Sequence, residues 1–500
     1  MKTRDLSALD TPGGFDVCIV GSGPAGTFLG TTLARRGIRT LILESGEGLA
    51  SWLTNKRLKS LAEYEYSGNT NYPLNRTTSR LLGGNSNFWT GRCERLHPSD
   101  FQPHPYTPAE NPWPIDYSDL DSYYDAAEKM LRVRGGPRTR FAPPRRQPLP
   151  LPGSPDVSFL KNLCAKFGVE VEDSATATPT KTLRLFNVQK EILPEFINGK
   201  FGTVITGATV TRLVAGNDKH IAGAEVKTLD GRSGTVRARI FVVSCGGFES
   251  PRLLLSSASE AFPNGIGNAH DMVGRGFNEH PNVGFYASIP HSWQTLMPTN
   301  KIVRTHQFYQ TYRSEGLGAL IPAFRQAWLL PNHILPFRLA NVPRNMLSVM
   351  SRLVRAAFYV GAGAEMKISL ANRITLSKTR VDVFGRPIAH LIFNFSDEDL
   401  ALLDRARSLI GGWLAQIGAT GVREAEVAWS RHHQGACRMG ANPRTSVVDK
   451  NLLVHESPNL YVCGSEVFST GGAMQPSLSI AALALRLADH LTLRLKSDGV

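Results

Sequence analysis

The hydrophobic pattern near the start of the chain predicts a strand, a turn, a helix and a second strand in immediate succession. Residues 15–20 are an apolar run with the length of a buried parallel strand. Residues 27–36 suit a helix, and Gly37 suits the left-handed conformation that often ends one. Residues 39–43 predict the second strand, which runs into Glu44. This order predicts a βαβ unit on a parallel sheet.

The turn inside this unit carries its own chemistry. Residues 21–26 have the G-x-G-x-x-G spacing. The first glycine permits a tight turn, the second lets backbone approach a pyrophosphate, and the third allows close packing of the helix. The helix N-terminus offers free N–H groups to phosphates, and Glu44 can accept hydrogen bonds from ribose hydroxyls. The pattern predicts a dinucleotide with a free 2′-hydroxyl, which disfavours NADP and leaves FAD and NAD open.

Two later segments return to the pattern of a buried strand followed by a helix. Residues 242–255 run from an apolar strand through a Gly-Gly turn into an apolar helix, after a hairpin excursion over residues 201–238. Near the C-terminus, residues 460–463 predict a strand and residues 477–491 predict an amphipathic helix. Both segments are therefore expected to rejoin the sheet of the first βαβ unit.

The middle of the chain follows a different pattern. Residues 116–131 predict a helix, and residues 371–377 alternate as a strand does. Residues 132–156 are rich in Pro and Arg and predict a surface loop. A long helix is predicted to begin after Ser396, with Asp399 completing a capping box.

The segment 316–364 contains no Asp or Glu and mixes arginines with large apolar residues. Its pattern predicts a pair of basic amphipathic helices that lie on an anionic membrane surface or against an acidic partner. A buried helical insert with outward arginines explains the same pattern. Prolines at 331, 336 and 343 divide the segment into short pieces.

Composition narrows the classes of protein. A chain of 500 residues predicts two or more domains, and 42% apolar with 20% charged residues is ordinary globular composition. The net charge of +14 raises the question of nucleic acid. The Lys and Arg are spread along the chain and no nucleic-acid motif is present, so we expect no nucleic-acid partner. A basic balance also suits an anionic dinucleotide.

Two further classes are disfavoured by what the sequence lacks. No apolar run approaches the roughly 18 residues of a membrane span, and the polar first residues lack the apolar core of a secretory signal. We therefore expect a cytoplasmic enzyme. The six cysteines form no C-x-x-C pair, so we expect neither a metal site nor a redox dithiol.

Four segments together carry a family resemblance: residues 82–92, 242–255, 274–281 and 432–500. They include LGGNSNFWTGR, GRGFNEHP and HHQGACRMG. In this combination the chain resembles the glucose–methanol–choline (GMC) oxidoreductase family, and within it bacterial sugar and polyol dehydrogenases and sugar oxidases. The resemblance covers nearly the whole chain and implies FAD as the cofactor.

The resemblance also implies an α/β fold. It consists of a Rossmann-type FAD-binding domain and a discontinuous α+β substrate-binding cap built on an antiparallel sheet. The FAD-binding domain is expected over residues 1–105, 201–285 and 426–500, and the cap over residues 106–200 and 286–425.

Cofactor contacts follow from the resemblance and from the turn. The expected cofactor-binding residues are Gly21, Ser22, Gly23, Pro24, Ala25, Gly26, Glu44, Ser45, Gly83, Gly84, Asn85, Asn87, Phe88, Val204, Cys245, Gly246, Gly464, Ser465, Gln475 and Pro476. Backbone bonds of Val204 are expected to meet the adenine. Some relatives bind the flavin covalently through a histidine after the 83–86 loop, but this chain has Asn87-Phe88-Trp89 there. We therefore predict non-covalent FAD.

Catalysis is expected from two positions. Alcohol oxidation needs a base for the hydroxyl proton, and histidine has a suitable pKa. The family base lies in an H-x-x-G-x-C motif, which is His432 here, and a slip of one residue would make it His433. The second family position is Asn or His before Pro, but this chain has Gln475. Glutamine keeps the amide and cannot act as an acid or base. It can bond the substrate in a reshaped pocket, accept a different geometry or reaction, or weaken the site.

The expected reaction is FAD-dependent oxidation of a CH–OH group on a sugar, glycoside or polyol. Residues of the right type to contact substrate are Trp89, Arg92, Glu365 and His433. Alternatives are an NAD-linked enzyme, a flavoenzyme of natural-product biosynthesis acting on a non-sugar alcohol or with modified chemistry, and a flavin-binding subunit of low turnover. The electron acceptor, which could be oxygen, a quinone or a haem partner, stays open.

Overall fold

The computed structural model describes residues 14–70, 72–107, 111–153, 157–180, 186–289, 302–328, 356–425 and 428–497. The strands are β1 (Phe15–Val20), β2 (Thr40–Leu43), β3 (Tyr64–Ser67), β4 (Arg134–Gly135), β5 (Leu151–Pro152), β6 (Glu172–Asp173), β7 (Gly202–Ile205), β8 (Thr209–Ala215), β9 (Ile221–Lys227), β10 (Ser233–Val236), β11 (Ala238–Val243), β12 (Pro281–Ser288), β13 (Ile302–Arg304), β14 (Leu320–Trp328), β15 (Ala356–Ala364), β16 (Arg373–Val381), β17 (Pro387–Ile392), β18 (Thr420–Glu424), β19 (Ala428–Trp429) and β20 (Leu460–Val462).

Eleven α-helices lie among these strands in the described part of the chain. They are α1 (Pro24–Arg35), α2 (Leu49–Thr54), α3 (Lys56–Ser60), α4 (Leu74–Thr77), α5 (Tyr117–Met130), α6 (Ser158–Lys166), α7 (Val188–Glu191), α8 (Leu193–Asn198), α9 (Gly246–Ser256), α10 (Asp397–Gln416) and α11 (Ser477–Ser497). Among the described helices, none has both the length and the apolar character that a bilayer span requires.

A five-stranded parallel sheet forms one layer of the fold, in the order β20-β11-β1-β2-β7. Every residue of β1 and β2 is buried, as expected for strands covered on both faces. Helix α1 connects β1 to β2, and α11 packs against α1 and α5. The predicted βαβ unit is confirmed, and the strands from the later segments rejoin the same sheet.

A second, antiparallel sheet has the order β18-β12-β15-β14-β13-β6, with β19 also paired to β12, and forms the body of a cap. Its apolar face packs on α10 through Leu402, Ala406 and Trp413. Successive antiparallel pairing of β12, β15, β14 and β13 places the start of β12 and the end of β13 at the same end of the sheet. That end carries side chains that matter for the site described below.

Several local predictions outside the parallel sheet are confirmed. The excursion after β7 is an antiparallel sheet of β8, β9 and β10. Helix α10 begins after Ser396, whose side chain accepts from the Asp399 N–H at 3.2 Å while Asp399 returns a bond to the Ser396 N–H. Helix α5 begins in the same way at Asp116.

The predicted pair of basic helices in residues 316–364 is wrong where the structure describes it. Both described flanks are strands, β14 and β15, which pair over nine positions from Leu320 with Ala364 to Trp328 with Ala356. Phe324, Phe358 and Val360 turn into the cap core, and this apolar alternation outweighs the helical spacing of arginines. The remaining arginines of the segment, in residues 329–355, lie outside the described residues.

The division into two domains stays a prediction. The five parallel strands all fall inside residues 1–105, 201–285 and 426–500. Strand β12 (Pro281–Ser288) crosses residue 285 and pairs with the cap sheet. The antiparallel sheet therefore takes its first strand a few residues before the predicted boundary.

Candidate active site

A cavity of about 500 Å³ opens where the carboxyl ends of the parallel strands meet. This is where open α/β sheets bind nucleotides. The expected cofactor residues that line it are Gly21, Gly23, Pro24, Ala25, Glu44, Ser45, Gly84, Asn85, Phe88, Cys245, Gly246, Gly464, Ser465, Gln475 and Pro476. Those that do not line it are Ser22, Gly26, Gly83, Asn87 and Val204.

The three glycines of the first turn differ in what surrounds them. Gly21 has φ +105°, and a Cβ there would lie 2.4 Å from the Ser244 carbonyl oxygen. A Cβ on Gly26 would lie 2.0 Å from the Gly21 carbonyl oxygen, so α1 packs directly on the turn. A Cβ on Gly23 would meet nothing within 4 Å, because this residue faces the cavity. Two glycines thus shape the turn, and the third keeps space free for a ligand.

Glu44 is held by backbone and side-chain donors at the end of β2. Its Oε2 accepts from the Ser22 N–H at 3.0 Å and the Ser22 hydroxyl at 2.6 Å, and its Oε1 accepts from the Gly46 N–H at 2.8 Å. Burial raises the pKa of Glu44, and these hydrogen bonds oppose that rise. Ser22 lies behind the lining and positions Glu44, which does line the cavity.

The loop at residues 83–88 closes over the glycine turn. A Cβ on Gly84 would lie 3.1 Å from the Gly23 Cα. Asn87 lies outside the lining, where its amide donates to the Leu82 and Gly84 carbonyls at 3.0 and 2.8 Å. Its oxygen accepts from the Asn187 amide at 2.7 Å. Asn87 therefore holds the loop in place.

Val204 is buried in β7, where it pairs with Ile42 on β2, and it does not reach the cavity. The next strand lines the cavity instead, through Thr209 and Val210. Strand β8 has a register shift just after Val210. Because β7 and β8 have similar apolar patterns, the sequence alone could not decide which of the two strands lines the cavity.

His432 lines the cavity and is coupled to a second, buried histidine. Its Nδ1 lies 2.9 Å from Nδ1 of His280, which directly precedes β12. Burial holds the pKa of His432 well below its ordinary value, and the neighbouring His280, Arg304 and His433 disfavour a second positive charge and lower it further. The Nδ1 contact leaves Nε2 as the ring nitrogen available to a ligand.

Glu279 fixes the backbone of both histidines. Its Oε1 accepts from the His432 N–H at 2.7 Å and the His280 N–H at 2.9 Å. Its Oε2 accepts from the Tyr72 hydroxyl at 2.6 Å. Burial raises the pKa of this carboxyl to about 7. The sequence motif at 274–281 contains both Glu279 and His280, but the sequence alone gave neither a role.

The histidine pair continues to Gln434, whose Nε2 lies 2.8 Å from His280 Nε2. Two proton arrangements fit these distances, because an amide can turn either its N–H or its oxygen to the ring. In one, His280 donates from Nδ1 and His432 carries its proton on Nε2. In the other, His432 donates from Nδ1 and keeps Nε2 free to accept a proton.

His433 also lines the cavity, but its ring points elsewhere. Its Nε2 lies 2.7 Å from the Tyr72 hydroxyl and 3.1 Å from the Thr77 hydroxyl. Burial lowers its pKa to about 3. The two adjacent histidines therefore differ: Tyr72 and Thr77 engage Nε2 of His433, whereas Nε2 of His432 makes no hydrogen bond among the described residues.

Gln475 lies just before α11 and lines the same cavity as His432. Its Oε1 accepts from Nη1 of Arg304 at 2.7 Å. In the described part of the chain, Gln475 Nε2 makes no hydrogen bond. Arg304 ends β13 and is only 6% exposed. Nothing in the sequence around Arg304 pointed to it.

The four weaker substrate candidates have different positions. Trp89, Arg92 and His433 line the cavity. Glu365 does not, since its Oε2 is bound by Arg313 at 2.9 Å and by the Ala319 N–H at 2.8 Å. The expectation for Glu365 is therefore wrong as to place, because an internal ion pair uses its carboxylate.

The site fits a flavin dinucleotide on its own chemistry. The N-terminus of α1 has no side-chain cap, so its N–H groups face the cavity beside the open Gly23. Gly246, at the start of α9, also lines the cavity, and a Cβ there would meet nothing within 4 Å. Glu44 supplies an acceptor at the end of β2, and the N-terminus of α11 lies at the far side.

Comparison with known proteins gives the family. Profiles described as GMC oxidoreductase match residues 69–282 and 370–484, and a profile described as FAD binding domain matches residues 14–51. Paromamine 6′-oxidase of Streptomyces fradiae is 28% identical, over 95% of this chain and 90% of that protein. The fructose dehydrogenase large subunit of Gluconobacter japonicus is 25% identical, over 99% and 100%. The 2-methyl-1,2-propanediol dehydrogenase of Mycolicibacterium austroafricanum is 25% identical, over 96% and 95%.

Solved structures show the same fold. A variant of Aspergillus oryzae RIB40 formate oxidase superposes with a TM-score of 0.69 at 16% identity, over 98% of this chain and 100% of that one. Pyridoxine 4-oxidase from Mesorbium loti superposes with a TM-score of 0.62 at 19% identity, over 95% and 99%. Because both halves of the chain match this family and its relatives align along almost the whole length, the chain belongs to the GMC oxidoreductases and is an FAD-dependent enzyme that oxidises alcohol groups.

Proposed function

We propose that this enzyme oxidises a CH–OH group of a sugar or sugar-like substrate, with His432 as the base and Gln475 as the second catalytic residue. The observation that carries the proposal is that both side chains line the same cavity as the glycine turn. Relatives named for paromamine, fructose and a propanediol support a small polar alcohol as the substrate.

His432 takes the hydroxyl proton of the substrate at Nε2. This requires the arrangement in which His432 Nδ1–H donates to His280 Nδ1, 2.9 Å away. The pKa of His432, which burial and neighbouring positive charge hold well below its ordinary value, keeps the ring neutral and ready to accept a proton at neutral pH. A positioned base of this kind is worth about 10²- to 10⁴-fold in rate.

Gln475 donates to the substrate oxygen. Its Oε1 is bound to Arg304, so its Nε2–H₂ group is the part of the amide left for a ligand. A donor at this position stabilises the negative charge that grows on the oxygen as His432 removes the proton.

FAD, when bound, supplies the hydride acceptor. The residues that would hold it are the 21–26 turn, Glu44, the 83–88 loop, strand β8 at Thr209 and Val210, and the 464–476 backbone. No histidine occurs among residues 83–92, which supports non-covalent binding. The electron acceptor stays open, and a cytoplasmic location remains a prediction from the sequence.

The test is anaerobic mixing of the purified yellow protein with fructose, paromamine, 2-methyl-1,2-propanediol and a panel of simple sugars and glycosides. The readout is loss of the oxidised flavin absorption. We expect at least one sugar or aminoglycoside to bleach the flavin within seconds to minutes. Re-oxidation by air or by a quinone dye then separates an oxidase from a dehydrogenase.

Failure has a clear form. If dithionite reduces the flavin but no alcohol in the panel does, the sugar assignment is wrong. If the propanediol alone bleaches the flavin, the substrate is a simple alcohol. If a protein reconstituted with FAD releases none of it on acid precipitation, the non-covalent assignment is wrong.

A further inference from the structure

We infer that Arg304 is a positioning residue of the catalytic pair: it turns the N–H groups of Gln475 toward the substrate and adds positive charge beside His432. The inference rests on the proposed roles of those two residues. Arg304 lies in the cap sheet, some 170 residues before Gln475 in the chain, and no sequence motif includes it.

The contact with Gln475 fixes the orientation of an amide. Arg304 Nη1 lies 2.7 Å from Gln475 Oε1, a short distance typical of a charge-assisted hydrogen bond. A flipped amide would set two donors against each other, because a guanidinium has no acceptor. The oxygen is therefore committed to Arg304, and the amide nitrogen is committed to the cavity.

Arg304 carries a positive charge that two buried carboxylates offset, Glu94 and its strand partner Glu172. Its Nε lies 3.8 Å from Glu94 Oε1, too far for a hydrogen bond, and in the described part of the chain Nε has no hydrogen-bond partner. Glu94 Oε1 is already bound by the Ser174 hydroxyl at 2.7 Å and the Ala175 N–H at 3.0 Å. Glu94 thus offsets the charge without drawing Arg304 away from Gln475.

The contact with Arg304 explains why a glutamine stands at position 475. Asparagine is one methylene shorter, a loss of about 1.5 Å of reach, and would leave Arg304 without its acceptor. We therefore expect Gln475→Asn to slow flavin reduction, although asparagine keeps the amide. The arginine and the glutamine form a matched pair, and shortening the glutamine breaks their contact.

Arg304 also acts on the base. The basic groups that face His432 are His280 just before β12, Arg304 from the end of β13 and the adjacent His433. Burial lowers the pKa of His280 to about 4 and that of His433 to about 3, so Arg304 is the cation among these three at neutral pH. The carboxylate of Glu279 meets the His432 backbone rather than its ring. A fixed cation in this group disfavours the imidazolium, so its removal raises the pKa of His432.

The test is a double-mutant cycle of wild type, Arg304→Met, Gln475→Ala and the double variant, with fructose and paromamine as probes in anaerobic stopped flow. Because a hydrogen bond to a charged group is worth roughly 10- to 100-fold, we expect each single variant to slow flavin reduction by about 10-fold or more. At a pH above the range in which His432 becomes protonated, the charge of Arg304 no longer affects the base, so the double variant should be no slower than Gln475→Ala. In Arg304→Met the fall of the reduction rate at low pH should begin at a higher pH than in wild type, because the pKa of His432 rises.

The matched control is Arg325→Met. Arg325 lies on the adjacent strand, opposite Ile302, and stacks over Tyr359 away from the cavity. The Arg325→Met variant removes a positive charge from the same sheet. We expect it to reduce the flavin at the wild-type rate and with the wild-type dependence on pH. Arg304→Lys keeps a donor and a charge and should recover part of the rate. It also replaces Arg304→Met in the cycle if that variant binds no FAD.

Multiplicative losses in the double variant, or an equal effect of Arg325→Met, would overturn the inference. Crystal structures of wild type and Arg304→Met give a readout that needs no substrate. We expect the Gln475 amide to leave its wild-type position in the variant. An unmoved amide overturns the inference, whereas a wild-type enzyme inert toward every alcohol overturns the proposed function instead.

Discussion

The two ends of the cavity are built in different ways. At the end near β1 and β2, the ligand surface is mostly backbone, with Gly21, Gly23 and an uncapped helix N-terminus, and Gly26 packs behind it. At the other end it is mostly side chains, and His432, Gln475 and their partners His280 and Arg304 come from distant segments. A backbone surface depends on local sequence, whereas a side-chain surface depends on the tertiary fold that brings the segments together.

The largest expected effect breaks the backbone end. In Gly26→Ala the new Cβ would lie 2.0 Å from the Gly21 carbonyl oxygen, so either α1 or the turn must move. We expect no flavin-loaded protein, measured as the ratio of flavin to protein absorption. Gly411→Ala is the control, since a Cβ there meets nothing within 4 Å in the middle of α10. Normal flavin content in Gly26→Ala would show that the turn does not hold FAD.

The second effect breaks the side-chain end while sparing the backbone end. His432→Ala should keep the flavin and slow its reduction by about 10²- to 10⁴-fold. In wild type, the rate should hold as pH falls to 6.5 and decline only below it, because the lowered pKa keeps His432 neutral. His220→Ala, at a distant surface turn, is the control. Near wild-type reduction in His432→Ala would remove this residue from the role of base.

A third change tests the main side chain at the backbone end. Glu44→Gln removes the charge that accepts from Ser22 and Gly46. Because hydrogen bonds to a charged group are stronger than those to a neutral one, we expect FAD affinity to fall roughly 10-fold. The affinity is measured by flavin fluorescence on dilution. Glu47→Gln, three residues on and exposed, should bind FAD as wild type does. Equal affinity in both variants would mean that the backbone alone holds the nucleotide.

The smallest effect should touch neither end. Ser396→Ala removes the side-chain cap of α10 and should lower the free energy of unfolding by about 1 kcal/mol. The apparent Tm should fall slightly, while flavin content and the rate of flavin reduction stay unchanged. A change in the reduction rate would mean that α10 transmits its stability to the side-chain end through the cap sheet.

The contrast between the ends also explains what the sequence could predict. The βαβ unit and the glycine turn were predictable because strand, turn and helix are adjacent in the chain. The capping box at Ser396 was predictable for the same reason. The family resemblance then extended the prediction to FAD and to His432 and Gln475, which both line the cavity.

The errors fall where distant segments meet. Val204 and Val210 lie on neighbouring strands of similar pattern, and only the sheet register decides which one reaches the cavity. Glu365 has the chemistry of a substrate ligand, but Arg313 occupies it. Arg304 was missed because an isolated arginine on a short strand gives no local signal.

The cap sheet positions both His280, which contacts His432, and Arg304, which contacts Gln475. His280 lies immediately before β12 and Arg304 is the last residue of β13, and these strand termini lie at the same end of the sheet. A change in the twist of that sheet would move His280 and Arg304 together and preserve the distance between them. We therefore expect substitutions at the opposite end of these strands to leave the positions of His280 and Arg304 unchanged.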